Sequence, residues 1–238
     1  MDDFRAAIFD MDGLLIDSER AIMRAWVAAA RDEGFALSEA DYLRTVGRSL
    51  RDSLDLLLEH FGSRPALDAV RARARETLAP GGRHAVFPLK PGVRRVLERL
   101  GERGVPCAVA SSSAIAEIRR RLDAVDAAGF FDAFAGGDEV ERAKPDPAVY
   151  RLAVARLGVP AQRCLAFEDS DHGMAAAVAA GMRVVVVPDL KAPTETVRAR
   201  AWRLVDSMER VLPHVEGWFP DATPPAPRAS PGFPGAKP

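Results

Sequence analysis

The sequence predicts an α/β protein, with a doubly wound parallel sheet and a small all-helical domain inserted after the first strand. From residue 87 onward, short apolar runs alternate with amphipathic segments of helical period. Because these runs are apolar throughout, they are typical of parallel strands buried on both faces. By contrast, residues 18–86 show helical periodicity and no strand pattern. We therefore expect a core formed by residues 1–17 and 87–212, and a helical insert at 18–86.

The first predicted strand is the apolar run Ala6–Phe9, and two carboxylates follow it. Asp10 and Asp12 are two residues apart, so in extended backbone their side chains point the same way. Like charges at that spacing repel unless a cation intervenes. The pattern favours Mg²⁺, which binds one or two carboxylates together with substrate phosphate and water. Gly13 allows the chain to turn sharply there.

The insert is predicted to contain four helices. In the first, Asp17 or Ser18 can cap the N-terminus, and Ile22 and Trp26 lie on one apolar face. Gly34 ends it. The predicted helices cover residues 17–34, 38–46, 49–61 and 65–78.

The core is predicted to alternate between the two kinds of element. The predicted helices cover residues 91–103, 113–122, 147–157 and 171–180. The predicted strands cover residues 106–110, 134–135, 164–167 and 183–187. Residues 213–238 include eight prolines, so we expect an extended or disordered tail there.

Composition narrows the function classes. The chain has 238 residues, 48% of them apolar, and a net charge of −1, which gives no support to nucleic-acid or anionic-membrane binding. No signal peptide and no apolar run near the ~20 residues of a membrane span is recognisable. Cys107 and Cys164 each open an apolar run and fit buried thiols of a reducing compartment. We expect a cytoplasmic protein, as a monomer or weak homodimer, with a small-molecule partner.

Further polar residues lie where other strands of the core are predicted to end. Ser111 and Ser112 follow the second strand, and Glu168 and Asp169 follow the fourth. Lys144 precedes a proline in a chain with 29 Arg and only four Lys, which indicates a position that needs a compact point charge. Taken singly, the serines and acids could be helix caps and the lysine a surface charge. Together they predict a phosphate and metal site at the carboxyl edge of the sheet.

In these motifs the sequence resembles the phosphatases of the haloacid dehalogenase superfamily, in the branch of β-phosphoglucomutase and the hexose-phosphate phosphatases. The motif residues are Asp10-Met11-Asp12-Gly13, Ser111, Lys144 and Glu168-Asp169. The likeness extends from about residue 5 to 190 but is weak in the insert. It implies a Rossmann-like core and a cap that closes over the substrate. The implied substrate is a small phosphorylated metabolite, with a sugar phosphate as the first candidate.

The resemblance also implies roles for these residues. Asp10 would be the nucleophile that forms an aspartyl-phosphate, and Asp12 the general acid and base. Ser111, Ser112 and Lys144 would bind the phosphoryl oxygens. Mg²⁺ would be held by Asp10, the Asp12 carbonyl and Asp169. Glu168 would lie beside the metal ion or behind these ligands.

A phosphomutase of the β-phosphoglucomutase type is the main alternative. In that enzyme the first cap helix carries a histidine, and the corresponding residue here is Ile22, which favours a hydrolase. A phosphonoacetaldehyde hydrolase would need a cap lysine, and residues 18–86 contain none. A non-catalytic binding protein on the same scaffold is the alternative from another class.

The part of the substrate that does not react also needs a contact. The loop residue Arg48 is the candidate for it, and Arg51 is the competing candidate.

Overall fold

Six parallel strands form one sheet in this computed structural model, which describes residues 3–46, 50–82 and 84–220. The strand order is β3-β2-β1-β4-β5-β6. The strands are β1 (Ala6–Phe9), β2 (Cys107–Ala110), β3 (Ala133–Ala135), β4 (Cys164–Glu168), β5 (Arg183–Val186) and β6 (Arg203–Leu204). The predicted α/β class is confirmed. Because β1 lies between β2 and β4, the residues that follow these three strands meet at one edge.

The helices follow the predicted pattern closely, with ends shifted by at most three residues. In the insert they are α1 (Glu19–Asp32), α2 (Glu39–Leu43), α3 (Leu50–Phe61) and α4 (Arg64–Leu78). In the core they are α5 (Val93–Glu102), α6 (Ile115–Asp123), α7 (Ala148–Leu157), α8 (Asp171–Ala179), α9 (Glu195–Arg200) and α10 (Val215–Trp218). The sequence does not predict α9, α10 or β6, because these elements are short and have no clear periodicity. None of the described helices has the length and apolar character needed to cross a bilayer.

Both faces of the sheet are buried, which explains the uninterrupted apolar character of the strands. Along β1, Ala7 and Phe9 face one apolar cluster together with α5, α6 and α10. Ala6 and Ile8 face a second cluster with α7, α8 and α9. Cys107 and Cys164 are buried in opposite clusters and are free thiols, as the sequence predicts.

The insert packs around an apolar cluster of its own, which includes Met23, Leu57 and Val70. Its two connections to the core run side by side. Asp17 N donates to Pro88 O at 2.9 Å, and Lys90 N donates to Leu15 O at 2.9 Å. A loop after β5 also contacts the insert, because Leu190 packs against the insert's cluster and Lys191 Nζ donates to Val46 O at 2.8 Å.

The predicted tail begins too early. Residues 213–220 are folded against the core, where Val215 and Phe219 are fully buried and Trp218 nearly so. Phe4 N donates to Trp218 O at 3.1 Å. The proline count is therefore a poor guide here, because burial of these apolar side chains stabilises a folded segment even though prolines flank it. Residues 221–238 lie outside the described residues.

Candidate active site

Lys144 links two carboxylates at the carboxyl edge of the sheet. Its Nζ donates to Asp10 Oδ1 at 2.5 Å and to Glu168 Oε1 at 2.6 Å, and also to Ala110 O at 3.0 Å. Glu168 is fully buried, and Asp10 and Lys144 are each 8% exposed. The structure thus brings together three residues that the sequence predicts for one site, from the ends of β1 and β4 and from the loop before α7.

Glu168 is held rigidly by donors on both of its oxygens. Tyr150, on α7, donates from its hydroxyl to Oε1 at 2.6 Å. Oε2 accepts from Ser170 Oγ at 3.1 Å and from Asp169 N at 3.2 Å. A Cβ at Gly173 would lie 1.9 Å from Oε1, so only glycine leaves room for this carboxylate. The sequence motifs do not predict Tyr150 as a site residue; the available signal is a tyrosine, which carries a hydroxyl, on the buried face of α7.

Asp12 has a separate set of partners. Its carboxylate accepts from Ser18 Oγ at 2.6 Å and from Ser113 Oγ at 3.0 Å, and it forms an ion pair with Arg121 of α6. Arg121 also pairs with Glu117 at 2.6 Å. Ser18 was expected as a helix cap, but its side chain makes no capping hydrogen bond and serves Asp12 instead. No sequence motif distinguishes Arg121 from the 28 other arginines; only its place on α6 brings it here.

The two predicted serines differ in their environment. Ser111 is buried, and its Oγ accepts from Ser113 N at 3.1 Å. Ser112 is exposed. Both line the cavity described next, at the start of the loop that leads into α6.

A cavity of about 540 Å³ lies between the core and the insert. The core contributes Asp10, Asp12, Lys144 and Asp169 to its lining, among others. The insert contributes mainly apolar side chains from α1 and α3, and one acid, Glu19. The predicted Arg48 lies outside the described residues.

The acidic residues at this edge fit a divalent metal ion. One carboxylate oxygen each of Asp10, Glu168 and Asp169 lie within 4.8 Å of one another. Burial raises the pKa of Asp10 and of Asp169, and the neighbouring carboxylates raise both further. The positive charge of Lys144 lowers both pKa values but only partly offsets these effects. Gly13, at φ 84°, is required by the same cluster, since a Cβ there would lie 2.3 Å from Asp169 Oδ2. An all-oxygen, negatively charged pocket of this kind suits Mg²⁺.

Two further acids line the cavity, and their pKa values are shifted in opposite directions. Burial, with the charges of Asp12 and Asp189, raises the pKa of Glu19 to about 7. On α6, hydrogen bonds from Arg120 and Arg121 lower the pKa of Glu117 to about 2. The negative charge of Glu19, from the insert, is therefore poorly stabilised, whereas that of Glu117, from the core, is well stabilised.

Comparison with known proteins identifies the family. Residues 4–181 match the sequence model of the haloacid dehalogenase-like hydrolases. This chain belongs to that family. The hydrolase is 34% identical over 210 residues to a phosphorylated carbohydrates phosphatase of Thermotoga maritima, covering 86% of this chain and 95% of that protein. The resemblance inferred from the four motifs is thereby confirmed.

Two solved structures extend the comparison of this hydrolase. One is a putative β-phosphoglucomutase of Thermotoga maritima, with a TM-score of 0.73, 29% identity, and coverage of 90% of this chain and 99% of that one. The other is a mutant of CbbY from Rhodobacter sphaeroides in complex with xylulose-(1,5)-bisphosphate. Its TM-score is 0.66 and its identity 27%, with coverage of 87% of this chain and 96% of that one. Both support the Rossmann-like α/β fold.

Proposed function

We propose that this hydrolase is a Mg²⁺-dependent phosphatase that acts on a small phosphorylated carbohydrate through an aspartyl-phosphate. The observation that carries the proposal is the contact of Asp10 with Lys144 in a cavity that Asp12 also lines. A nucleophile, a cation for the phosphoryl oxygens and a second acid are the groups that such a displacement needs. The similarity to a phosphorylated carbohydrates phosphatase supports the substrate class.

In the first step, a carboxylate oxygen of Asp10 forms a bond to phosphorus while the bond from phosphorus to the leaving oxygen breaks. Asp12 donates its proton to that oxygen, because an alkoxide leaves poorly without one. Lys144 and the hydroxyl of Ser111 bind the equatorial phosphoryl oxygens and offset the charge that develops there. In the second step, Asp12 removes a proton from water, which attacks phosphorus and releases phosphate from Asp10.

The metal ligands proposed are the carboxylates of Asp10 and Asp169 and the main-chain carbonyl of Asp12. When bound, Mg²⁺ supplies positive charge that neutralises the phosphate and lets it approach the carboxylates. Glu168, whose oxygens already accept hydrogen bonds from Lys144 and Tyr150, orients Lys144 beside this site. We propose that the insert acts as the cap, which excludes water from the cavity during the reaction.

The alternative of a phosphomutase is disfavoured by the cavity itself. Ile22 lines it at the place where the resemblance to β-phosphoglucomutase calls for a histidine. An aliphatic side chain cannot transfer a proton to or from a sugar hydroxyl. With β-glucose 1-phosphate as substrate, we expect free glucose and phosphate rather than glucose 6-phosphate, as distinguished by NMR.

The deciding experiment measures phosphate release by the full chain with Mg²⁺, in EDTA, and in the variant Asp10→Asn. We expect activity with Mg²⁺ only, its return when Mg²⁺ replaces EDTA, and none in Asp10→Asn although circular dichroism shows a folded protein. Turnover that persists in EDTA or in Asp10→Asn contradicts the mechanism. Rapid-quench trapping of labelled phosphate on the wild-type chain tests the aspartyl-phosphate directly.

A further inference from the structure

The side of the cavity that the insert forms is largely apolar. Five side chains make up this apolar wall: Ile22 and Trp26 of α1, Tyr42 of α2, and Leu54 and Leu57 of α3. Trp26 and Tyr42 are neighbours, with ring centroids 6.2 Å apart. Aromatic faces of this kind attract C–H-rich surfaces and release water from both partners on contact.

Two hydroxyl groups next to the apolar wall, those of Thr45 and Ser53, donate to the backbone. Thr45 Oγ1 donates to Tyr42 O at 2.7 Å. Ser53 Oγ donates to Thr45 O at 3.0 Å. Their hydrogens are therefore spent on the insert's own main chain, and a substrate hydroxyl placed here would lose hydrogen bonds to water without full replacement.

The charge of this side also limits the substrate. Among the described residues, the insert's lining includes one acid, Glu19, and no Lys or Arg. Arg121, from the core, is already paired with Asp12 and Glu117. A second phosphate placed against the apolar wall would thus face aliphatic and aromatic side chains and an acid, which compensate its desolvation poorly.

We propose that this cavity selects phosphate monoesters whose leaving group is uncharged and presents an apolar face to Trp26. The ring of a cyclic sugar monophosphate, with C–H groups on its faces and hydroxyls at its rim, has that chemistry. Sugar bisphosphates and open-chain polyol phosphates are disfavoured. This inference rests on the proposed phosphatase function and narrows its substrate class.

The test compares kcat/KM of the full chain with Mg²⁺ on four compounds. Acetyl phosphate is too small to reach the apolar wall and reports the phosphatase chemistry alone. Glucose 6-phosphate differs from glucose 1,6-bisphosphate only by the second phosphate, and from glucitol 6-phosphate by its closed ring and by the oxidation state of C1. We expect kcat/KM for glucose 6-phosphate to exceed that for the bisphosphate at least about tenfold, and that for the open-chain compound about threefold or more.

Variants then locate the selectivity. Trp26→Ala should lower kcat/KM for glucose 6-phosphate about five- to tenfold more than for acetyl phosphate, and Trp26→Phe should restore most of the difference. Phe35→Ala is the matched control, because Phe35 is a half-buried aromatic of the insert that lines a different surface. It should leave the ratio of the two substrates unchanged.

The outcomes separate this inference from the function on which it rests. If the wild-type chain does not hydrolyse acetyl phosphate or any monoester, both fail. If it hydrolyses acetyl phosphate but turns over the bisphosphate or the open-chain compound as well as glucose 6-phosphate, only the selectivity is overturned. If the bisphosphate is turned over well, Arg48→Ala tests one cause. Loss of bisphosphate turnover alone in this variant would show that Arg48 supplies the positive charge that binds the second phosphate. The substrate comparison uses the wild-type chain and decides the matter even if Trp26→Ala does not fold.

Discussion

In the core, the polar side chains of Lys144, Glu168 and Asp12 each have several partners at the cavity, whereas the described part of the insert offers mainly apolar surface. Lys144 donates to three oxygens, and Glu168 accepts from donors on both of its oxygens. In the insert, Trp26 and Leu54 line the same cavity without such a network. The core therefore holds charge at fixed positions, which the proposed reaction requires, and the insert presents apolar area, on which we propose that selectivity depends.

This comparison predicts that changes in the core affect every substrate and that changes in the insert affect some. The largest expected effect is that of Asp12→Asn. A general acid contributes about 10²–10⁴-fold, so kcat for an alkyl phosphate should fall by that order. p-Nitrophenyl phosphate, whose leaving group needs no proton, should lose less in the first step. Rapid-quench measurement of phosphoenzyme formation separates that step from phosphoenzyme breakdown, and equal losses in the first step for both substrates would contradict the role.

A second prediction concerns the rigidity of the core. Gly173→Ala should lower the free energy of unfolding by about 3 kcal/mol, because the added methyl group would overlap the buried Glu168 carboxylate. Gly101→Ala is the matched control, since Gly101 lies in the helix α5 with open space around its Cα. It should be neutral or stabilise by up to about 1 kcal/mol. Urea denaturation of both variants checks this, and equal effects would show that Glu168 is less constrained than the geometry indicates.

A third prediction addresses the insert. If Arg48 contacts the non-reacting part of the substrate, Arg48→Ala should cost roughly 1.5–3 kcal/mol in kcat/KM for a sugar phosphate. p-Nitrophenyl phosphate, which lacks sugar hydroxyls, should be nearly unaffected. Arg51→Ala, which removes an exposed arginine of α3, serves as the comparison. Equal losses for the two substrates would indicate a folding defect, and no loss for the sugar phosphate would make Arg48 a surface residue.

The smallest expected effect is a difference in pH dependence between two acids of the cavity. The pKa of Glu19 is raised to about 7 from a usual value of 4.5, so the folded chain binds more protons than the unfolded chain between these values. Stability should therefore fall as pH rises from about 5 to 8, and Glu19→Gln should abolish about 1–2 kcal/mol of that fall after allowance for solvent at this half-buried side chain.

Glu117 provides the control for Glu19. Its pKa is lowered to about 2, so the stability that it contributes is already complete above its unfolded value of 4.5 and is lost only as pH falls toward 2. The difference in unfolding free energy between the wild-type chain and Glu117→Gln should thus be constant from pH 5 to 8. A Glu19→Gln difference that is equally constant would contradict the raised pKa.

The sequence alone determined the fold class, the order of the main elements and most of the core site. Residues that follow buried strands must emerge at the sheet edge, so Asp10, Ser111 and Glu168 could be placed together without coordinates. Lys144 could be added because it is a rare lysine of this chain between two segments of the core. The folded segment at 213–220 could not be foreseen, because proline content does not report how well Val215 and Phe219 fill a space that other elements create.

Only the tertiary structure decided which side chains support these motifs and what faces them. Arg121 reaches Asp12 across 109 positions of sequence, and Tyr150 reaches Glu168 across 18. Ser18 looks like a helix cap until the fold of the segment between β1 and α1 brings Asp12 Oδ1 within 2.6 Å of its hydroxyl. The apolar wall depends on three helices meeting over the core. Local sequence sets each helix's own apolar face, but the contacts between distant elements determine which part of that face remains open to a substrate.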